Sequence, residues 1–305
     1  MATPHKPVLY QEIIHALQPK SPGRYIDGTI GAGGHARGIL EACTPDGCLL
    51  GFDLDSQALA LARETLAPYG KRVTLVQASY LSLLETMHNL GWEAVDGIVI
   101  DLGVSSMQLD TPERGFSFQS DAPLDMRFNR DAGLTAAQLI NTTSEADLAN
   151  ILFHYGEEPR ARKIAKMIVQ ARPVTTTSQL AEIVKKAYPG HSRVHPATRT
   201  FQALRIAVND ELSVLEQALP RAMQALRPGG RLAVISFHSL EDRVVKDFFR
   251  SESKALINPP YEKIYEVERN ATLKEMTRKP ITPSADEIKN NRRARSAKLR
   301  IAERL

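Results

Sequence analysis

Two cysteines, Cys43 and Cys48, are all that the chain contains. They flank a Pro45-Asp46-Gly47 turn with too few other ligand types nearby for a metal centre. Both read as buried or half-buried thiols, and no metal is expected. No run of about 18 apolar residues exists, which excludes a membrane-spanning helix. The opening Met1-Ala2-Thr3-Pro4-His5-Lys6 lacks the apolar centre of a secretory signal, so cytoplasmic residence is the expectation. Internal repeats and low-complexity segments are missing too. Nor does one sign of charge dominate: the net charge is +4 at pH 7 and the isoelectric point about 9.0. That balance permits a nucleic-acid partner without demanding one.

What is present suits one large or two modest domains, with 305 residues and 43% hydrophobic content. The chain is organised around Tyr25-Ile26-Asp27-Gly28-Thr29-Ile30-Gly31-Ala32-Gly33-Gly34-His35. This reads as the end of a buried strand, a glycine turn and the start of a helix. Gly31, Gly33 and Gly34 allow backbone angles that a Cβ forbids and let a ligand approach closely. The following helix aims its free N–H groups at that ligand.

The glycines alone leave the ligand open. Gly31-x-Gly33-x-x-Ala36 fits a dinucleotide fingerprint, with Asp53 placed for a ribose. Asp27 favours S-adenosylmethionine (SAM) instead, because a carboxylate before the turn can meet an ammonium group and repels a pyrophosphate. A plain glycine-rich connection is the remaining alternative.

The rest of the core alternates as an α/β fold does. Residues 7–17 form an amphipathic helix. Cys48-Leu49-Leu50-Gly51-Phe52-Asp53 is a strand ending in an acid that can accept from both ribose hydroxyls. Val73-Thr74-Leu75-Val76-Gln77 is a third strand, after which Tyr80 offers a flat apolar face for an adenine ring. Val95-Asp96-Gly97-Ile98-Val99-Ile100-Asp101 is nearly continuous in apolar residues, as a central parallel strand is. It ends in Asp101, followed by Leu102-Gly103-Val104-Ser105-Ser106-Met107-Gln108. Asp101 and Ser105 are the candidate acceptors for the N–H of a target amine, with methyl transfer driven mainly by proximity and orientation.

From Thr111 to about Thr198 the alternation stops. Helices are expected from Thr135, over residues 145–155 and 158–171, and from Thr177 or Ser178 to Tyr188. That length is an inserted helical subdomain, not a loop. Arg160, Arg162, Lys163, Lys166, Arg172, Lys185, Lys186, Arg193, His195 and Arg199 suggest a phosphate-tracking surface, against a plain solvated face. Pro220 implies a helix break, and Pro228-Gly229-Gly230 ends the helical stretch before a fifth strand over residues 231–237. His238 follows it, either as a general base or as an organiser of its loop. The tail carries Arg292, Arg293 and Arg295 just ahead of a last strand.

The glycine stretch, Asp101 to Gln108, Glu113 to Phe118, Pro123 to Arg127, Pro196 to Leu212, Ile235 to Arg243 and Arg293 to Glu303 together resemble the bacterial ribosomal RNA small subunit methyltransferase H family over essentially the full length. The resemblance implies a Rossmann-like class I SAM-dependent methyltransferase with an inserted helical subdomain. Residues 1–110 and 199–305 would form the core, and 111–198 would recognise RNA. It implies N4 methylation of a cytidine in 16S rRNA, within the small ribosomal subunit and near the P-site codon. Implied cofactor contacts are Gly33, Gly34, His35, Asp53, Tyr80, Asp101 and Gln108. The oligomeric state stays open, a homodimer included. Thr29, where such turns usually carry glycine, and Leu102-Gly103-Val104, where amino-methylating DNA enzymes carry Pro-Pro-Tyr, depart from the general pattern.

Overall fold

The computed structural model describes residues 7–188, 195–257 and 267–305. The chain forms two compact units, one of Met1–Gly103 with Ser213–Leu305 and one of Val104–Leu212.

The first unit is built on seven strands: β1 (Arg24–Asp27), β2 (Cys48–Asp53), β3 (Val73–Gln77), β4 (Val95–Asp101), β5 (Leu226–Ser236), β6 (Leu273–Glu275) and β7 (Lys298–Arg304). Their order is 3-2-1-4-5-7-6. The first five are parallel, and β7 runs antiparallel between β5 and β6. A separate ribbon pairs Leu256–Ile257 with Val267–Glu268.

Alternation along the strands sorts the core into two layers. Tyr25, Leu49, Val99, Ala233 and Leu299 face α1 (Tyr10–Leu17), α2 (Gly34–Ala42) and α3 (Ser56–Leu66). Ile26, Leu50, Phe52, Ile98, Ile100 and Val234 face α4 (Leu83–Asn89), α11 (Glu211–Ala225) and α12 (Ser239–Glu252). With helices on both faces, this is the Rossmann-like α/β class expected from the sequence. The strand order reverses between β1 and β4, and such switch points open a crevice at the carboxyl ends of the strands.

Pro220 does not break the chain: α11 runs through it. The lost backbone hydrogen bond is offset by burial of Leu215, Leu219, Ala222 and Ala225 in the core. Pro228-Gly229-Gly230 falls where the β4–β5 register shifts between Val95 and Gly97, with Gly229 at φ 78°.

The second unit contains α5 (Ser106–Asp110), α6 (Ala136–Thr142), α7 (Glu145–Gly156), α8 (Ala161–Gln170), α9 (Thr177–Lys186) and α10 (Ala197–Asn209). Leu148, Leu152, Ile164, Ile168, Leu180, Phe201 and Leu204 share one buried cluster. Thr135, Ser144 and Thr176 start α6, α7 and α9 by accepting the N–H three residues on. The cap of α9 is therefore Thr176, one residue before the start expected from sequence. This unit begins at Val104 and runs through Leu212, wider at both ends than the 111–198 expected from sequence. Its last helix stays with it for two reasons. α10 packs against α7, and Asn209 donates to Met126 O at 2.8 Å while accepting from Phe128 N at 2.7 Å. Among the described residues no helix is long and apolar enough to cross a membrane.

Gly115 shows how tightly the start of this unit is wound. Its φ is +72°, and a Cβ would lie 2.5 Å from Pro123 O and 2.6 Å from Asp125 N. Both are backbone atoms and cannot swing aside. Gly115→Ala is expected to destabilise the protein by roughly 1–3 kcal/mol, read as a lower urea midpoint. An unchanged midpoint would mean that the turn opens freely.

Candidate functional site

Three acids end three adjacent strands on one face of the sheet. Asp27 on β1 lies in register with Gly51 on β2 and Val99 on β4. Asp53 and Asp101 stand two residues beyond those partners, so alternation turns all three side chains toward the α1–α3 layer. Asp27 is 1% exposed, and its Oδ1 accepts Thr29 N at 3.1 Å. Asp53 accepts Gly31 N on one oxygen and Asp55 N on the other, both at 2.9 Å. Each Asp53 oxygen keeps a second lone pair for a hydroxyl.

Thr29 holds this geometry together. Its Oγ1 accepts the Asp101 N–H at 2.6 Å, tying the tip of β4 to the turn after β1. Sequence reading flagged Thr29 only as a departure from glycine. A hydroxyl in a glycine turn was the available signal, but its partner 72 residues away was not visible. Gly31 and Gly33 have φ of 51° and 84°, and α2 starts at Gly34. A Cβ on Gly34 would meet Pro7 Cγ at 2.3 Å, so the chain before α1 closes on the cradle.

His35, in the first turn of α2, is buried and stacks on Tyr10 with ring centroids 6.4 Å apart. Its Nε2 lies 3.6 Å from Asp101 Oδ2. Neither ring nitrogen has a hydrogen-bond partner in the protein, and neither has Asp101 Oδ1. Buried polar atoms without partners are costly, so these three atoms suit a polar ligand. Tyr80 opens the turn after β3 and lies over Gly28, where a Cβ would come within 3.2 Å of its own Cβ.

The first unit thus brings together Gly33, Gly34, His35, Asp53, Tyr80 and Asp101. Ser105 and Gln108 belong to the second unit, where they form the capping box of α5: Ser105 Oγ accepts Gln108 N at 3.2 Å, and Gln108 Oε1 accepts Ser105 N at 3.0 Å. His238 caps α12. Its Nδ1 accepts Glu241 N at 3.3 Å, and its Nε2 lies 3.0 Å from Glu241 Oε1. The Nδ1 contact holds the start of α12.

Several of the suggested phosphate contacts are engaged inside the second unit. Arg160 donates to Ala187 O and lies 4.5 Å over the Tyr188 ring. Lys163 also donates to Ala187 O, and Arg172 donates to Ile140 O and Thr143 O. These cations cap carbonyls at helix ends. His195 stacks on Phe118 at 4.5 Å. Arg162, Lys166, Lys186 and Arg199 are exposed, and Lys185 pairs with Glu182 at 3.4 Å. Arg193 lies outside the described residues.

Burial raises the Asp27 pKa to about 7, with the Asp101 and Asp53 charges adding to the rise and His35 and the Thr29 N–H opposing it. Burial likewise raises Asp53 to about 6, against the N–H groups of Asp55 and Gly31. Folded values above the ordinary 3.8 mean that the folded protein holds more protons than the unfolded chain. Their stabilising contribution is full below about pH 4 and is lost as pH rises toward 7. Asp27→Asn is expected to flatten most of that decline in ligand-free protein. Equal pH slopes for variant and wild type in denaturant titrations would contradict the assignment.

The model of the MraW methylase family matches residues 2–305. A ribosomal RNA small subunit methyltransferase H from Geotalea uraniireducens (strain Rf4) is 52% identical over 307 residues, covering 99% of this chain and 98% of that protein. Its namesake from Magnetococcus marinus is 52% identical over 312 residues, covering all of both chains. That of Heliobacterium mobile is 49% identical over 308 residues, with 99% of each covered. The family's methyl donor is SAM, and the glycine cradle with its strand-tip acids fits that ligand. With the family model matching residues 2–305, the chain belongs to the MraW methylase family, alongside the ribosomal RNA small subunit methyltransferases H.

Proposed function

We propose that this methyltransferase modifies ribosomal RNA of the small subunit, placing a methyl group on the N4 amine of a cytidine in the decoding region of 16S rRNA. The names of its relatives support the rRNA substrate. The observation that carries the chemistry is Asp101: a buried carboxylate oxygen without a partner, at the tip of a central strand, on a backbone pinned by Thr29.

When bound, SAM supplies an electrophilic methyl group on a sulfonium. Gly33, Gly34 and His35 would form the cradle for it, Asp53 would accept from the ribose hydroxyls, Tyr80 would offer its ring to the adenine and Asp27 would meet the ammonium group. The N4 lone pair of cytosine is delocalised into the ring, so the free amine is a poor nucleophile. Asp101 accepts a hydrogen bond from that amine and orients the lone pair; as the new N–C bond forms, the methyl–sulfur bond would break with its electron pair left on a neutral thioether, and the nitrogen then gives its extra proton to water. Ser105 contributes by fixing the α5 turn that follows the strand. The base enters unstacked, at a cost of a few kcal/mol that is smallest where the RNA is already single-stranded. A substrate in the small subunit sets the place of action in the cytoplasm.

Tritiated SAM and unmethylated small subunits are expected to give label in N4-methylcytidine after digestion to nucleosides. Label in any other nucleoside would contradict the proposal. Asp101→Asn is expected to lower turnover by roughly 100-fold or more while subunit binding stays within about two-fold. Equal losses in both would place Asp101 outside the reaction.

A further inference from the structure

Between residues 288 and 302 the chain carries six cations and no acid, more positive charge than the +4 net charge of the whole sequence. The structure shows where that charge is held. A short 3-10 turn over Arg292–Ser296 leads into β7, with Asn291 Oδ1 accepting Arg293 N at 3.2 Å at its start. Ala294 and Ala297 are buried in the same cluster as Leu9, Ala36 and Ile39, which anchors the turn to the α1–α2 layer. Just before it, in α13 (Ala285–Asn290), Glu287 accepts Leu9 N at 2.8 Å. Two residues earlier in the chain than Leu9, Pro7 closes on Gly34 of the cradle.

The register fixes which end of the sheet this is. β7 is antiparallel to β5 and pairs Lys298 with Ser236, the last residue of β5. The turn therefore stands at the carboxyl end of the parallel strands, where Asp53 and Asp101 also lie. Lys298 and Arg300 are tied to Asp242, at 3.1 and 2.7 Å. Arg292, Arg293 and Arg295 are exposed. Within the second unit, Arg160, Lys163 and Arg172 are engaged with carbonyls.

We propose that this arginine turn is a phosphate-tracking edge of the first unit, which grips the backbone of the RNA strand that carries the acceptor base. The inference rests on the rRNA substrate proposed above. Guanidinium groups on a short, anchored turn beside the cradle suit phosphate oxygens, which they bind by paired hydrogen bonds. They add affinity and register without reading sequence.

The test is equilibrium binding of unmethylated small subunits across a series of KCl concentrations, with the double variants Arg292→Gln/Arg295→Gln and Arg292→Lys/Arg295→Lys. Loss of two phosphate contacts is expected to shallow the slope of log K against log salt by about 1.4, at about 0.7 per contact for a single strand. The lysine pair is expected to keep the wild-type slope, and SAM affinity by calorimetry to stay unchanged in both. If the wild type methylates subunits and the glutamine pair binds them with an undiminished slope, the edge is overturned alone. A lysine pair whose salt slope is as shallow as that of the glutamine pair would also overturn it, since the slope would not follow the charge. Absence of transfer by the wild type would overturn the substrate reading instead.

Discussion

Drawing three carboxylates to the ends of neighbouring strands, one of them buried and two half-buried, costs free energy, and the first unit is arranged around that cost. Asp27, Asp53 and Asp101 face the same layer because β1, β2 and β4 are parallel and held in one register. Removal from water raises two of them from an ordinary 3.8, Asp27 to about 7 with the Asp101 and Asp53 charges adding to the rise, and Asp53 to about 6. Backbone N–H groups of Thr29, Gly31 and Asp55 relieve part of the cost, but one Asp101 oxygen and both His35 nitrogens stay without partners. A ligand that carries an ammonium, hydroxyls and an amine recovers what folding leaves unpaired. Affinity and stability are set against each other at the same atoms.

The glycine turn and Thr29 serve that arrangement in different ways. Glycine lets the backbone bend into the left-handed region and brings the α2 amides close, while Pro7 seals the far side. Thr29 joins the turn to the β4 tip, so the glycine turn and the Asp101 backbone are tied by one hydrogen bond. A shift in either would move the methyl donor and the acceptor relative to each other, and transfer rates fall steeply with such misplacement.

Much of this was legible in the sequence. The apolar runs at Val95–Asp101 and Cys48–Asp53 predicted central strands because both faces of a parallel sheet are buried. Ser144 and Thr135 predicted helix starts because their hydroxyls satisfy amides that a helix leaves open. What could not be read depends on long-range packing. Asn209 belongs to the second unit through partners more than 80 residues away. Arg160 and Arg172 look like solvated charge in one dimension, and become helix caps only when α6 and α9 arrive beside them. Pro220 reads as a breaker, yet its helix is held by core contacts that local preference cannot count.

Burial weakens the acidity of Asp27, and the proposed ammonium contact needs its carboxylate, so SAM binding is expected to displace a proton. Calorimetry at pH 6.5 in buffers of different ionisation enthalpy tests it most directly. At that pH an α-amino group, with a pKa of about 7.7–8.0, is already charged, so any proton exchanged belongs to the protein. The account predicts a net proton release on binding that disappears in Asp27→Asn. Binding with no proton release, or with the same release in the variant, would contradict it.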